Sequence, residues 1–164
     1  MNTQGPRTAH WVRETDEAVA RLKALSSAHD ERVERARRAA IIIREMGGYR
    51  WVGLYDVTEA RIAVIAWDGP EPPQFPSFPI EQGLNGAAVS GRRIVVTADV
   101  AADARHLPTI SGTRSEIIVP AFDAQRRVIG TIDVESAVRD AFCVRDEERL
   151  AACAEALAWL WRSP

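Results

Sequence analysis

Residues 113–136 decide the reading of this chain. They run Thr113-Arg114-Ser115-Glu116-Ile117-Ile118-Val119-Pro120-Ala121-Phe122, then Asp123-Ala124-Gln125-Arg126, then Arg127-Val128-Ile129-Gly130-Thr131-Ile132-Asp133-Val134-Glu135-Ser136. Two runs rich in β-branched residues flank a short polar break, the pattern of a β-hairpin. Side chains alternate between the faces of a strand. Ile117, Val119 and Ala121 therefore share one face, and Val128, Gly130, Ile132 and Val134 share the matching face of the second strand. Both sets are apolar and belong to the core. A register that joins them, with a loop over Asp123 to Arg126, sets Glu116 opposite Asp133, Ile118 opposite Thr131 and Pro120 opposite Ile129.

The other face then carries Glu116, Asp133 and Glu135 together. Like charges opposed across a ladder are destabilising. Two readings follow. Either Arg114 or Arg127 neutralises the acids at the surface, or the three line a pocket built for a cation.

Working outward from the hairpin, Asp146 to Trp161 has helical spacing, with Leu150, Cys153, Leu157 and Leu160 on its buried stripe. Upstream, Asp99 to Pro108 is a polar loop holding Asp103 and His106, the histidine either solvated or touching a ligand. Ile94 to Thr97 is a short strand. Gln82-Gly83-Leu84-Asn85-Gly86 leads into a short helix ending at Gly91, whose first-turn amides are suited to an anion. Gly69 to Pro79 contains five prolines, which exclude helix and central strand and leave a rigid surface loop over core elements. Its Pro73 to Pro76 spacing also fits a weak proline-rich partner motif.

Arg50 to Val57 alternates as a strand, with Trp51, Gly53 and Tyr55 on one side and Val52 and Leu54 on the core side. Asp56 to Glu59 is a turn and Ala60 to Trp67 a second strand. Trp11 to Met46 is helical, broken over Ser26 to Asp30, with Asp30 as N-cap of a second helix that Gly47-Gly48 ends. Val12, Val19, Leu22 and Leu25 form one apolar stripe; Val33, Ala36, Ala40, Ile43 and Met46 form another. The arginine-rich face from Glu31 to Arg38 is a solvated surface or a basic partner-binding strip.

The 164 residues, 46% hydrophobic and 27% charged, suit one soluble domain. A net charge of −2 argues against nucleic acid as a partner. No apolar run has the length of a membrane span, and no leader-like segment follows Met1, so the expected address is cytoplasmic. Cys143 and Cys153 match no metal-ligand spacing, and the expectation is no metal and no cofactor. Residues 1–10 are expected to be a flexible N-terminus and residues 11–164 a single domain. The order of elements implies an α+β fold, a central antiparallel sheet with N- and C-terminal helices on one face and a ligand pocket on the other. On the pocket face Trp51, Tyr55, Glu116, Asp133 and Glu135 combine aromatic rings with carboxylates, a setting for a desolvated ammonium.

From about Tyr49 to Leu150 the chain resembles a GAF domain, and more narrowly the free methionine-(R)-sulfoxide reductases. The resemblance is carried by Tyr49-Arg50-Trp51-Val52-Gly53-Leu54-Tyr55, Gln82-Gly83-Leu84-Asn85-Gly86, Asp99-Val100 with Asp103 and His106, Arg114-Ser115-Glu116-Ile117-Ile118-Val119-Pro120, and Val128 to Ser136. It implies that Trp51, Tyr55, Glu116, Asp133 and Glu135 line a pocket for free methionine sulfoxide. Glu135 stands where the family usually has Asp, which narrows that pocket. It also implies cysteine thiols at Asn85 and near Thr109, and this chain has neither. Asn and Thr supply no thiolate to attack a sulfoxide and no thiol to resolve the intermediate. The expectation is therefore a non-catalytic, small-molecule-binding regulatory domain with a pocket for an amine-bearing ligand such as a free amino acid or a derivative. The alternatives are a reductase with rearranged thiols and a structural dimerisation module. A homodimer is expected, built on the first helix and on the last, with its Trp159 and Trp161.

Overall fold

A computed structural model describes residues 6–162, with side chains from His10 onward. The expected flexible stretch 1–10 lies outside the described residues over 1–5, and helix begins at Pro6. Helix α1 spans Pro6–Ala24, and a single 3-10 turn, Leu25–Ser27, leads out of it. Helix α2 spans Arg32–Gly47 and buries Ala36, Ala39, Ala40, Ile42 and Ile43, spaced for one face. Gly48 ends it at φ 62°, a left-handed position that a side chain would strain. Asp30 does not cap α2 as expected. The helix begins beyond it, with Glu31 as the flanking residue, and the Asp30 carboxylate takes the Arg38 guanidinium at 2.6 Å.

Six strands follow: β1 Trp51–Val57, β2 Arg61–Asp68, β3 Ser77–Pro79, β4 Val95–Thr97, β5 Ser115–Phe122 and β6 Val128–Ser136. They form one sheet in the order β3-β2-β1-β6-β5-β4, with every pair antiparallel. The proline-rich stretch yields β3 at its end, an edge position where Pro79 needs no ladder donor. Helix α3, Gly83–Gly91, lies between β3 and β4 in the chain. Helices α4, Val144–Ala156, and α5, Ala158–Trp161, close the fold; the expected single last helix breaks at Leu157.

The β5–β6 hairpin has the expected faces and a different register. Glu116 pairs with Glu135, Ile118 with Asp133 and Pro120 with Thr131, two residues from the expected alignment. The cause is the turn. Asp123 accepts from the amides of Gln125 and Arg127, Arg126 takes φ 63°, and a bulge falls between Ala121 and Phe122. An even shift leaves every side chain on its own side, so Ile117, Val119, Ala121, Ile132 and Val134 still enter the core.

That core lies between one sheet face and α1, α2, α4 and α5. Val52 and Leu54 meet Leu22, Ile43, Leu150, Leu157 and Leu160 there. The first helix does not project from the domain: Ala18, Leu22 and Leu25 are part of this core. Trp161 is buried and donates its indole N–H to the Tyr55 carbonyl at 2.9 Å, while Trp159 lies under the Arg35 guanidinium, 4.9 Å from its ring centre. The apolar surface expected to meet a second copy is thus largely covered within the chain. Val12 and Val33 stay exposed.

Candidate functional site

The second face of the sheet carries α3 and the two long loops, and it positions the site. In the β1–β6 ladder Trp51 pairs with Glu135, Gly53 with Asp133 and Tyr55 with Thr131. Directly paired residues share a face. All five expected residues therefore stand on one side: Trp51 and Tyr55 on β1, Glu116 on β5, Asp133 and Glu135 on β6. Gly53 makes this possible, because a Cβ there would lie 2.3 Å from the Trp51 ring and 2.8 Å from Tyr55. The indole of Trp51 stacks on Trp67 with ring centres 6.4 Å apart.

One oxygen each of Glu116, Asp133 and Glu135 lies within 4.8 Å of the others, and all three residues are buried. Neither arginine proposed to neutralise them does so: Arg127 is bound to Asp123 at 2.7 Å, and Arg114 is exposed. Hydroxyl and amide groups take part of the load. The Asn85 side-chain amide donates to Asp133 Oδ2 at 2.9 Å, and the Thr131 hydroxyl donates to Asn85 Oδ1 at 2.6 Å. The Thr113 hydroxyl donates to Glu135 Oε2. One oxygen of each acid, Glu116 Oε2, Asp133 Oδ1 and Glu135 Oε1, has no hydrogen-bond partner among the described residues.

Burial disfavours the charged form of a carboxyl group, and neighbouring carboxylates add to the effect. Glu116 and Asp133 are pushed well above the ordinary range, first by desolvation and then by the other acids. Glu135 rises to about 7 by desolvation, held from going higher by the Thr109 and Thr113 hydroxyls and the charge of Arg50. The Tyr55 phenol is likewise raised by burial and by the three acids. His106 Nε2 lies 3.6 Å from Glu116 Oε2, too long for a hydrogen bond, and burial lowers the imidazole's pKa. The pair is therefore a neutral imidazole facing a carboxyl group rather than an ion pair at neutral pH.

The site is closed from above. Phe75, Phe78, Leu107, Pro108 and the start of α3 leave a cavity of about 10 Å³ that reaches Glu116, room for about one water. The loops above it hold each other. The Gln74 amide donates to the Thr109 carbonyl at 2.8 Å, and the Ser111 amide donates to Glu71 Oε1 at 2.6 Å. The Ser111 hydroxyl donates to the same oxygen, and Arg50 donates to the Ser111 carbonyl at 2.8 Å. A larger cleft of about 590 Å³ beside α3 touches none of the five residues. As closed, this cavity has no room for an organic ligand beside Glu116.

Four groups of the site did not emerge from the sequence as site residues. Asn85 was visible only as a missing thiol, and its amide turns out to hold Asp133. Thr113 lies two residues before the start of β5, outside the ladder, and its hydroxyl still meets Glu135. Thr131 was legible from alternation, since it stands two residues before Asp133 on the same strand, whereas Thr97 joins this face only through its pairing with Glu116 in the β4–β5 ladder. Neither cysteine is here: Cys143 is exposed and flanks the start of α4, where its thiol donates to Asp146, and Cys153 is buried in the helical core, its thiol pushed up to about 12 by desolvation.

This six-stranded antiparallel sheet with terminal helices on one face is the architecture of a known family. The GAF domain profile matches residues 31–160, and the chain belongs to the GAF domain family. Within the family it is similar to free methionine-R-sulfoxide reductases. One, from Neisseria meningitidis and solved in complex with its substrate, is 27% identical with a TM-score of 0.78, over 90% of this chain and 87% of that one. A type II enzyme from Thermoplasma acidophilum is 30% identical with a TM-score of 0.72, over 79% of this chain and 94% of that one. Protein YtsP of Bacillus subtilis (strain 168) is 24% identical over 128 residues, 78% of each chain. No helix among the described residues is long and apolar enough to cross a membrane.

Proposed function

We propose that this chain is a non-catalytic GAF module that binds a small amine-bearing ligand, a free amino acid or a derivative, and acts as a sensor or regulatory domain. One observation carries the reading: three buried carboxyl groups on one face each keep an oxygen without a partner, beside two aromatic rings. An ammonium group supplies the missing donors and the opposite charge. Trp51 and Tyr55 wall the ligand and exclude water. The first hydrogen bond of α3 runs from Gly86 N–H to the Gln82 carbonyl, which leaves the amides of Gly83, Leu84 and Asn85 outside the helical ladder. These residues lie beside Glu116, so with the loops parted a ligand carboxylate meets these amides while its ammonium meets the acids.

The likeness to sulfoxide reductases supports a reductase as the second reading, and the chemistry of the positions weighs against it. Asn85 and Thr109 have no thiol, and Cys153 is held as a neutral thiol in the core. Thermal unfolding against a panel of free L-amino acids, with methionine and methionine sulfoxide included, tests the first reading. A ligand at about a hundred times its Kd stabilises by about 2.7 kcal/mol. If no panel member stabilises the chain and native mass spectrometry finds no co-purifying small molecule, the reading falls. Reduction of methionine sulfoxide with thiol turnover would establish the second instead.

A further inference from the structure

We propose that Glu116, Asp133 and Glu135, with His106 as a nitrogen donor, form a divalent-cation site in the closed state, and that the metal and the amine compete for the same carboxylates. The inference shares with the proposed function only the premise that these acids take a cation.

Two observations point to an ion. The first is donor geometry. Three carboxylate oxygens lie within 4.8 Å of one another. Ligands on opposite sides of a metal at about 2.1 to 2.5 Å are separated by about 4.2 to 5 Å, so the set closes on one ion with small rotamer adjustments. The second is a set of unused donors beside the acids. His106 Nε2 has no hydrogen-bond partner among the described residues and lies 3.6 Å from Glu116 Oε2. Thr97 is 6% exposed, its hydroxyl oxygen has no partner among the described residues, and it pairs with Glu116 across the β4–β5 ladder, on the same face.

Three carboxylates and one imidazole make an oxygen-rich set with one borderline nitrogen, which suits a first-row divalent ion such as Mn2+. Binding requires deprotonated carboxylates and so displaces their protons to solvent. The Asn85 amide holds Asp133 Oδ2 and the Thr113 hydroxyl holds Glu135 Oε2, which leaves Asp133 Oδ1 and Glu135 Oε1 without partners among the described residues and available to an ion.

The test uses the full chain stripped with EDTA and titrated with Mn2+, read by loss of the free-ion EPR signal and by thermal unfolding. One ion per chain and a rise in unfolding temperature are expected. His106→Ala should weaken Mn2+ binding at least tenfold, and Asp133→Asn should abolish it, with both metal-free variants still unfolding cooperatively. Prior saturation with a panel amino acid that binds should raise the apparent Kd for Mn2+. If an amino acid stabilises the chain and Mn2+ does not bind, the metal site is overturned and the amine pocket stands. Mn2+ uptake with no amino acid bound supports the metal site and removes the amine reading. Uptake that survives Asp133→Asn places the ion elsewhere and overturns the inference, as does equal affinity in His106→Ala.

Discussion

Replacing Glu135 by Gln in the ligand-free, metal-free chain should change how stability depends on pH. The carboxyl has a pKa of about 7 in the fold, raised mainly by desolvation, against 4.5 for the unperturbed group. A folded pKa above the unfolded one means that the native state binds more protons. Its stabilising contribution is then fully present below the unfolded pKa and lost as pH rises through the folded one. From about pH 5.5 to pH 8 this one group should remove about 2 kcal/mol from the unfolding free energy; the whole shift corresponds to about 3 kcal/mol. Glu116 and Asp133 are raised further and titrate with it as a set, so the wild-type slope is at least this steep. Gln has the same shape, keeps an acceptor for the Thr113 hydroxyl, and turns its amide toward the neighbouring carboxyl oxygens. The variant should therefore be more stable than wild type at pH 8 and nearly level with it at pH 5.5. Urea unfolding followed by tryptophan fluorescence at four or five pH values measures both. A wild-type stability that is flat or rising over that window would refute the reasoning, since it would mean that the acids ionise freely inside the fold.

Asp133→Asn should weaken binding of an amine ligand by about 2–5 kcal/mol, measured by calorimetry, while leaving the apo fold as stable or more so, because it removes a repelling acid. Ser111→Ala removes the hydroxyl that ties the two loops through Glu71 and should raise the ligand association rate severalfold in stopped-flow fluorescence; an unchanged rate would show that the clasp does not gate entry. The double variant Cys143→Ser/Cys153→Ser should keep the wild-type ligand affinity, because neither thiol lies on the pocket face. Its unfolding free energy should drop by about 1–3 kcal/mol from placing a hydroxyl at buried Cys153. Loss of affinity in the folded double variant would bring the thiols back into the chemistry.

Alternation along β1, β5 and β6 was enough to tell from the sequence that Trp51, Tyr55, Glu116, Asp133 and Glu135 share a face, because a strand's period of two survives any even error in register. The misplaced pairing of Glu116 shows this: the true partner is Glu135, set by a turn and a bulge that local residue types specify weakly, and the face did not change. The helical stripes and the stop at Gly48 were legible for the same reason, since spacing and left-handed backbone are local properties. Tertiary structure decided how deeply the acids are buried, which oxygens lack partners, and how Asn85, Thr113 and His106 reach them. It also decided that the proline-rich loop clasps the 103–113 loop through Glu71 and Ser111. These depend on where distant segments meet. Desolvation, which sets the charge of the three acids, is a property of everything packed around them and of no residue alone.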